Sequence, residues 1–304
     1  MLEAVVCLLQ GGCCLLILDI IHRSVEFLGL WEAFVAIVLG LVEGLTEFAP
    51  VSSTGHMIIV DDFLFHTKDL FSPEVANTFK IVIQLGSILA VVVLMWDRFM
   101  SLLGLNRLAG KREVQAGPRL NLATVIVGLI PAGILGVLFD DYIDEYLFST
   151  KTVVIGLVLG ALLMLAADWF RPRRPKIESV DQITYKQAFL VGLIQCFSLW
   201  PGFSRSGSTI SGGVLLGMSH RAAADFTFIM AVPIMAGASF LSLLKRWDAI
   251  TMDSIPFFVI GFISAFVFAL LSIRFFLKLI NRIKLTPFAI YRLVLAAVIY
   301  FVFM

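Results

Sequence analysis

Apolar residues run almost unbroken over 4–21, 30–48, 78–96, 120–139, 152–169, 188–200, 222–244, 255–279 and 287–304, with short polar stretches between them. Most of these runs approach the ~20 residues that an α-helix needs to cross the hydrocarbon of a bilayer. The pattern therefore predicts several membrane-spanning helices. A membrane β-barrel would alternate apolar and polar residues over about ten positions per strand, and these runs are continuously apolar instead. Two runs are interrupted. Run 30–48 ends in "EGLTEFAPVSSTGH", and run 188–200 passes into "QCFSLWPGFSRSGSTISGG".

Composition agrees with the pattern. Apolar residues make up 60% of the chain, charged residues 15%, and the mean hydropathy is +0.97. Soluble domains sit near 45–50% apolar. The expectation is an all-α polytopic membrane protein with one membrane domain over 29–304. Residues 1–28 form an extra N-terminal apolar helix or an upstream-start artefact. Four cysteines, Cys7, Cys13, Cys14 and Cys196, show neither metal-ligand spacing nor a disulfide framework. A net charge of +1 gives no electrostatic footprint for nucleic acid.

Where the charge sits says more than its sum. Arg98, Arg107, Lys111, Arg112 and Arg119 share one connector, and Arg171, Arg173, Arg174, Lys176 and Lys186 share another. Both belong on the cytoplasmic side by the positive-inside rule. The turn between them, "DDYIDEY", carries Asp140, Asp141, Asp144 and Glu145 with no basic residue, and belongs outside with the acidic connector 61–74.

The interruptions carry the candidate chemistry. Glu43 and Glu47 lie four apart on one helical face, Pro50 ends the helix, and Ser52, Ser53, Thr54, Gly55 and His56 follow. The second break holds Arg205 among Ser204, Ser206 and Thr209. Aligning the two stretches pairs Gly40 with Gly192, Glu43 with Gln195, Ser52 with Ser204 and Gly55 with Gly207. This internal repeat assigns repeat one to 30–169 and repeat two to 187–304. The charge pattern makes the halves inverted in topology, with two re-entrant broken-helix hairpins meeting near the membrane midplane. Outgoing helices after Ser53 and after Ser206 would aim free N–H groups at a shared anion site.

Phosphate suits a buried arginine fork flanked by hydroxyls. Two glutamates do not bind an anion directly, so they imply a divalent cation between carboxylate and phosphate, or a base that takes a proton. Ser53 offers a nucleophile and His56 a proton carrier. Serine and glycine also ease helix packing in membranes, and a lone histidine at a helix start is often a cap. Intramembrane Glu and Arg are different, because burying such charges is expensive and function is their default explanation.

"EGLTEFAPVSSTGH" and "PGFSRSGSTISGG", with "IQLGSILAVVV" and "PFAIYR", resemble the signature stretches of the undecaprenyl pyrophosphate phosphatase family, the bacitracin-resistance proteins of bacterial membranes. The resemblance runs from about Trp31 to the C-terminus, and only the N-terminal run departs from the family pattern. It implies hydrolysis of a C55 isoprenyl pyrophosphate to the monophosphate and inorganic phosphate. This recycles the carrier lipid for cell-wall synthesis and confers bacitracin resistance. It also implies a divalent metal, Mg2+ or Ca2+, on Glu43 and Glu47. Glu47, Ser53, His56 and Arg205 would be catalytic, and Ser52, Thr54, Ser204, Arg205, Ser206 and Thr209 would hold the phosphates. The expected location is the bacterial cytoplasmic (inner) membrane, with the site open to the outer, periplasmic side. Serine, water and histidine all remain open as the attacking group, and a homodimer is left open. Inverted repeats with broken helices are also transporter architecture, so movement of a lipid phosphate or an anion is the rival function.

Overall fold

The computed structural model describes residues 29–105, 119–247 and 250–304, without the side chains of Asp140 and Asp144. The N-terminal helix expected over 1–28, with Cys7, Cys13 and Cys14, lies outside the described residues. So do Arg107, Lys111 and Arg112 of the first basic connector. Every regular element among the described residues is helical.

The main helices are α1 (Leu30–Thr46), α2 (Ser53–Met57), α3 (Pro73–Leu94), α4 (Leu122–Leu138) and α5 (Thr150–Phe170). They continue with α6 (Tyr185–Gln195), α7 (Arg205–Leu215), α8 (His220–Lys245), α9 (Ile255–Ile283) and α10 (Thr286–Phe303). Among the described residues, α3, α5, α8, α9 and α10 are long and apolar enough to cross a membrane, and α4 is a shorter apolar helix. The chain is thus a multi-pass membrane protein.

Polar residues at the run edges set the boundaries. Ser72 accepts the N–H of Val75 ahead of Pro73, and Asn121, Ser149, Thr184 and Ser219 cap α4, α5, α6 and α8 in the same way. Two departures from the apolar pattern matter. Run 188–200 is helical only to Gln195, after which a 3-10 turn, Cys196–Leu199, tightens toward Pro201. After α2 the chain widens into a π-helix, Ile58–Phe65, closed by the His66 N–H on the Asp61 carbonyl at 2.7 Å. Apolar periodicity does not distinguish that wider winding from an α-turn.

Packing pairs the first half of each broken helix with a helix of the other half of the chain: α1 lies along α9, and α6 along α4. Helix α3 packs on α8, and α5 on α10. Glycines permit the closest approaches. A Cβ on Gly40 would collide with the Gly261 carbonyl, and one on Gly192 with the Gly128 carbonyl. These two glycines correspond in the internal alignment, so one contact device serves both halves.

Outside the spans, Asp181 accepts from Arg98 Nη1 at 2.7 and 2.9 Å and from the Leu120 N–H at 3.0 Å. Partial burial opposes its charge. The Leu120 N–H and the Arg98 guanidinium outweigh that and hold the carboxyl below the ordinary range. The described parts of the two basic connectors are thereby tied together at one end of the molecule.

Candidate active site

Both breaks use the same backbone device. Ser52 has φ 72° and ψ 99°, and Ser204 has φ 72° and ψ 117°. Serine is uncommon at positive φ, and such strained positions cost about 1–3 kcal/mol each and gather at functional sites. Each serine then caps the outgoing helix, accepting the N–H of Gly55 at 3.4 Å or of Gly207 at 3.1 Å. The outgoing helices begin at Ser53 and Arg205. The second start is earlier than the expected one after Ser206, because Ser204 and not Ser206 is the cap. Arg205 is therefore the first residue of α7, with its side chain free to reach across.

It reaches the first break. Arg205 Nη2 donates to Glu47 Oε1 at 3.0 Å, and the other carboxylate oxygen, Oε2, accepts from Ser53 Oγ at 2.7 Å. Glu47 thus binds the hydroxyl of one break and the cation of the other, although 158 positions separate it from Arg205. Both charged side chains are mostly buried, at 9% and 13% exposure. The guanidinium also lies 5.7 Å from the centre of the Phe48 ring, which meets Phe228 edge-on. Ser206 Oγ donates to the Ala49 carbonyl at 3.1 Å and lies 3.2 Å from Ser204 Oγ, so hydroxyls of the second break fasten the backbone of the first.

Other expected residues sit differently. His56 is close by, but its Nδ1 lies 2.8 Å from the Ser52 carbonyl and its Nε2 lies 2.7 Å from the Tyr291 hydroxyl, with the two rings stacked. A carbonyl only accepts, so Nδ1 carries the proton. In the neutral ring Nε2 then accepts from Tyr291. Thr209 is buried, donates to the Arg205 carbonyl at 2.8 Å and accepts from Thr227 at 2.8 Å. Its hydroxyl is engaged within the helix packing and is not presented to the Glu47–Arg205 pair. Thr54 is partly exposed beside the cap.

Glu43 is 5% exposed, and its Oε1 makes no hydrogen bond to any described residue. A buried carboxylate oxygen without a partner calls for a cation or a proton. Among the described residues no group of three or more His, Cys, Asp or Glu gathers as an all-protein metal cage. Magnesium is commonly held by one or two carboxylates with other oxygens completing the shell, so Glu43 and Glu47 could hold a hard divalent cation. Gln195, the counterpart of Glu43, is likewise buried with its Nε2 unpartnered among the described residues.

Two functional candidates were missed in the sequence, and both lie within "PFAIYR". Tyr291 holds His56. Arg292, fully buried, donates through Nη2 to the carbonyls of Gly202 and Phe203 at 2.8 Å each, and so fixes the second break. An arginine inside the last apolar run was the available signal for the second of these.

The arrangement defines a class: a helical membrane protein whose polar centre forms where two broken helices meet, with a carboxylate-bound serine facing a buried arginine. Within that class the chain belongs to the bacitracin resistance protein BacA family, whose sequence profile matches residues 36–298. It is 71% identical over 272 residues to the undecaprenyl-diphosphatase of Geobacillus sp. (strain WCH70), covering 90% of this chain and 98% of that protein. The undecaprenyl-diphosphatase of Geobacillus kaustophilus is 69% identical over 278 residues, 91% of this chain and 99% of the relative. That of Bacillus subtilis (strain 168) is 63% identical over 275 residues, 90% of this chain and 99% of the relative.

Proposed function

We propose that the chain is a membrane phosphatase that hydrolyses undecaprenyl pyrophosphate to undecaprenyl phosphate and inorganic phosphate. Its relatives' names support the substrate, and the observation that carries the chemistry is the Ser53–Glu47–Arg205 chain of contacts. Glu47 is the base for Ser53, and Arg205 is the phosphate-binding cation. In the resting site these two charges satisfy each other, and both oxygens of Glu47 are occupied, one by Arg205 and one by Ser53. A pyrophosphate competes for the guanidinium, whose fork suits two phosphate oxygens. As Arg205 turns to the phosphate, Glu47 is released as a proton acceptor.

Ser53 Oγ then forms a bond to the terminal phosphorus while the bond from that phosphorus to the bridging oxygen breaks. The hydroxyl proton passes to Glu47 and undecaprenyl phosphate leaves. Water subsequently cleaves the phosphoserine, releasing inorganic phosphate. A divalent cation on Glu43 and Glu47, magnesium or calcium, would offset charge on the phosphate oxygens when bound. Serine is favoured over histidine because its hydroxyl already meets a carboxylate, whereas His56 Nε2 is engaged by Tyr291. His56 would act on a phosphate oxygen after gaining a proton.

The two halves, 30–169 and 187–304, form one membrane domain built as an inverted repeat, and the shared Ser52 and Ser204 geometry supports that reading. With the basic connectors in the cytoplasm of a bacterial cell, the broken helices re-enter from opposite sides and the polar centre opens outward. On intact cells an impermeant thiol reagent should label Tyr142→Cys and spare Ser179→Cys, in a background without the native cysteines. The reverse pattern would turn the protein over. The function itself is tested by phosphate release from undecaprenyl pyrophosphate by detergent-solubilised protein. Release that stops with chelator and returns with magnesium or calcium supports the phosphatase. No release at all would favour a transporter, which does nothing measurable without two compartments.

A further inference from the structure

The ends of α3, α8 and α9 that carry Leu94, Arg221 and Lys278 enclose a cleft of about 490 Å3, and none of the residues of the Glu47–Arg205 centre lines it. Four basic side chains border this cleft: Arg98, Arg221, Arg274 and Lys278. Two are anchored. Arg98 is held by Asp181, while Arg221 Nε donates to both Asp225 oxygens at 3.0 Å and its Nη1 to the Leu277 carbonyl at 3.1 Å. The other two, Arg274 and Lys278, stand one turn apart on α9, exposed, and neither makes a hydrogen bond or ion pair to any described residue. Beside them the wall is apolar, with Leu94, Met95, Ile273 and Leu277.

We infer that this cleft binds the phosphodiester head group of an anionic glycerophospholipid. Basic pockets between membrane helices on the cytoplasmic side are suited to such head groups, and each unpaired cation near the membrane surface adds to the attraction. The anchored arginines, each neutralised by its carboxylate, give the cleft fixed walls, and the uncompensated charges of Arg274 and Lys278 close on the phosphate from α9. The apolar side distinguishes a lipid from a free anion, because Leu94, Met95, Ile273 and Leu277 offer nothing to inorganic phosphate but give cover to the glycerol and upper acyl carbons. Asp97 and Asp225 also line the cleft, which disfavours a multiply charged phosphate and leaves a singly charged diester as the better match.

Fluorescently tagged phosphatidylglycerol and phosphatidylcholine, titrated with the full chain in dodecyl maltoside micelles, test this by fluorescence polarisation. Wild type should prefer phosphatidylglycerol, and Arg274→Gln with Lys278→Gln should bind it about thirtyfold more weakly, near the level of phosphatidylcholine. Leu277→Trp, which fills the cleft and keeps every charge, must lose the preference as well. Equal binding of the two lipids by wild type, or a preference kept by both variants, overturns the proposal. Displacement of the tagged lipid by inorganic phosphate as readily as by unlabelled phosphatidylglycerol overturns it too, since the site would then recognise a free anion.

Discussion

The two helix breaks share a backbone and divide the chemistry. At Ser52 and Ser204 the chain takes the same left-handed step, and each serine caps its outgoing helix through a glycine three residues on. Carrying that register forward sets Ser53 against Arg205 and His56 against Ser208, while Glu43 answers to Gln195. The first break thus holds the carboxylates, the Ser53 hydroxyl and the imidazole, and the second holds the Arg205 cation. Under the proposed function, neither break alone would both activate a nucleophile and hold a pyrophosphate. The same backbone geometry gives two helix starts, and the different side chains at the two breaks give the opposite charges that meet at Glu47 and Arg205.

The division of roles can be broken from either side. Glu47→Gln should have the largest effect, a loss of kcat of about a thousandfold or more, because an amide takes no proton from Ser53. Breaking a buried ion pair also costs about 3–5 kcal/mol of stability. Thermal unfolding must therefore be measured alongside, and a folded but inactive variant separates catalysis from collapse. Arg205→Lys should lose about a hundred- to a thousandfold, since a compact ammonium does not reproduce the two-pronged grip. Retention of most activity by lysine would reduce the second break to a point charge.

Glu43→Gln sharpens the comparison by making the first break resemble the second, whose residue there is already Gln195. The expected loss is smaller, about ten- to a hundredfold, and excess magnesium should recover part of it. A loss equal to that of Glu47→Gln would contradict the separate roles. Tyr291→Phe keeps the ring stacked on His56 and deletes one hydroxyl, so a loss of about five- to tenfold is expected. The loss should fall on kcat and leave thermal unfolding nearly unchanged, because the stacked ring is kept. An unchanged kcat would make Tyr291 a packing residue only.

Much of this was legible in the chain because charge is rare in it. Glu43, Glu47 and Arg205 stand out in apolar surroundings, and Pro50 and Pro201 mark where helices must stop. What was hidden depended on tertiary contacts. The left-handed backbone at Ser52 and Ser204 runs against the preference of serine, and only the capped glycine N–H groups reveal why it is tolerated. Thr209 resembled a phosphate ligand in the motif, yet it turns toward Thr227, a residue on another helix. Tyr291 meets His56 across 235 positions, and local periodicity does not report which distant helices pack together. The π-helix at Ile58–Phe65 was hidden for a different reason, since its apolar residues satisfy an α-pattern equally well.

The central claim is that the two breaks form one phosphate site, and substrate protection tests it without relying on turnover. In a chain lacking Cys7, Cys13, Cys14 and Cys196, Thr54→Cys places a thiol at the first break, beside the cap, where the residue is partly exposed. An added isoprenyl pyrophosphate should slow its alkylation. Adding Arg205→Gln at the second break should abolish that protection while leaving the unprotected labelling rate nearly unchanged. Protection that survives the loss of Arg205 would show that the first break holds the pyrophosphate alone, and would contradict the shared site.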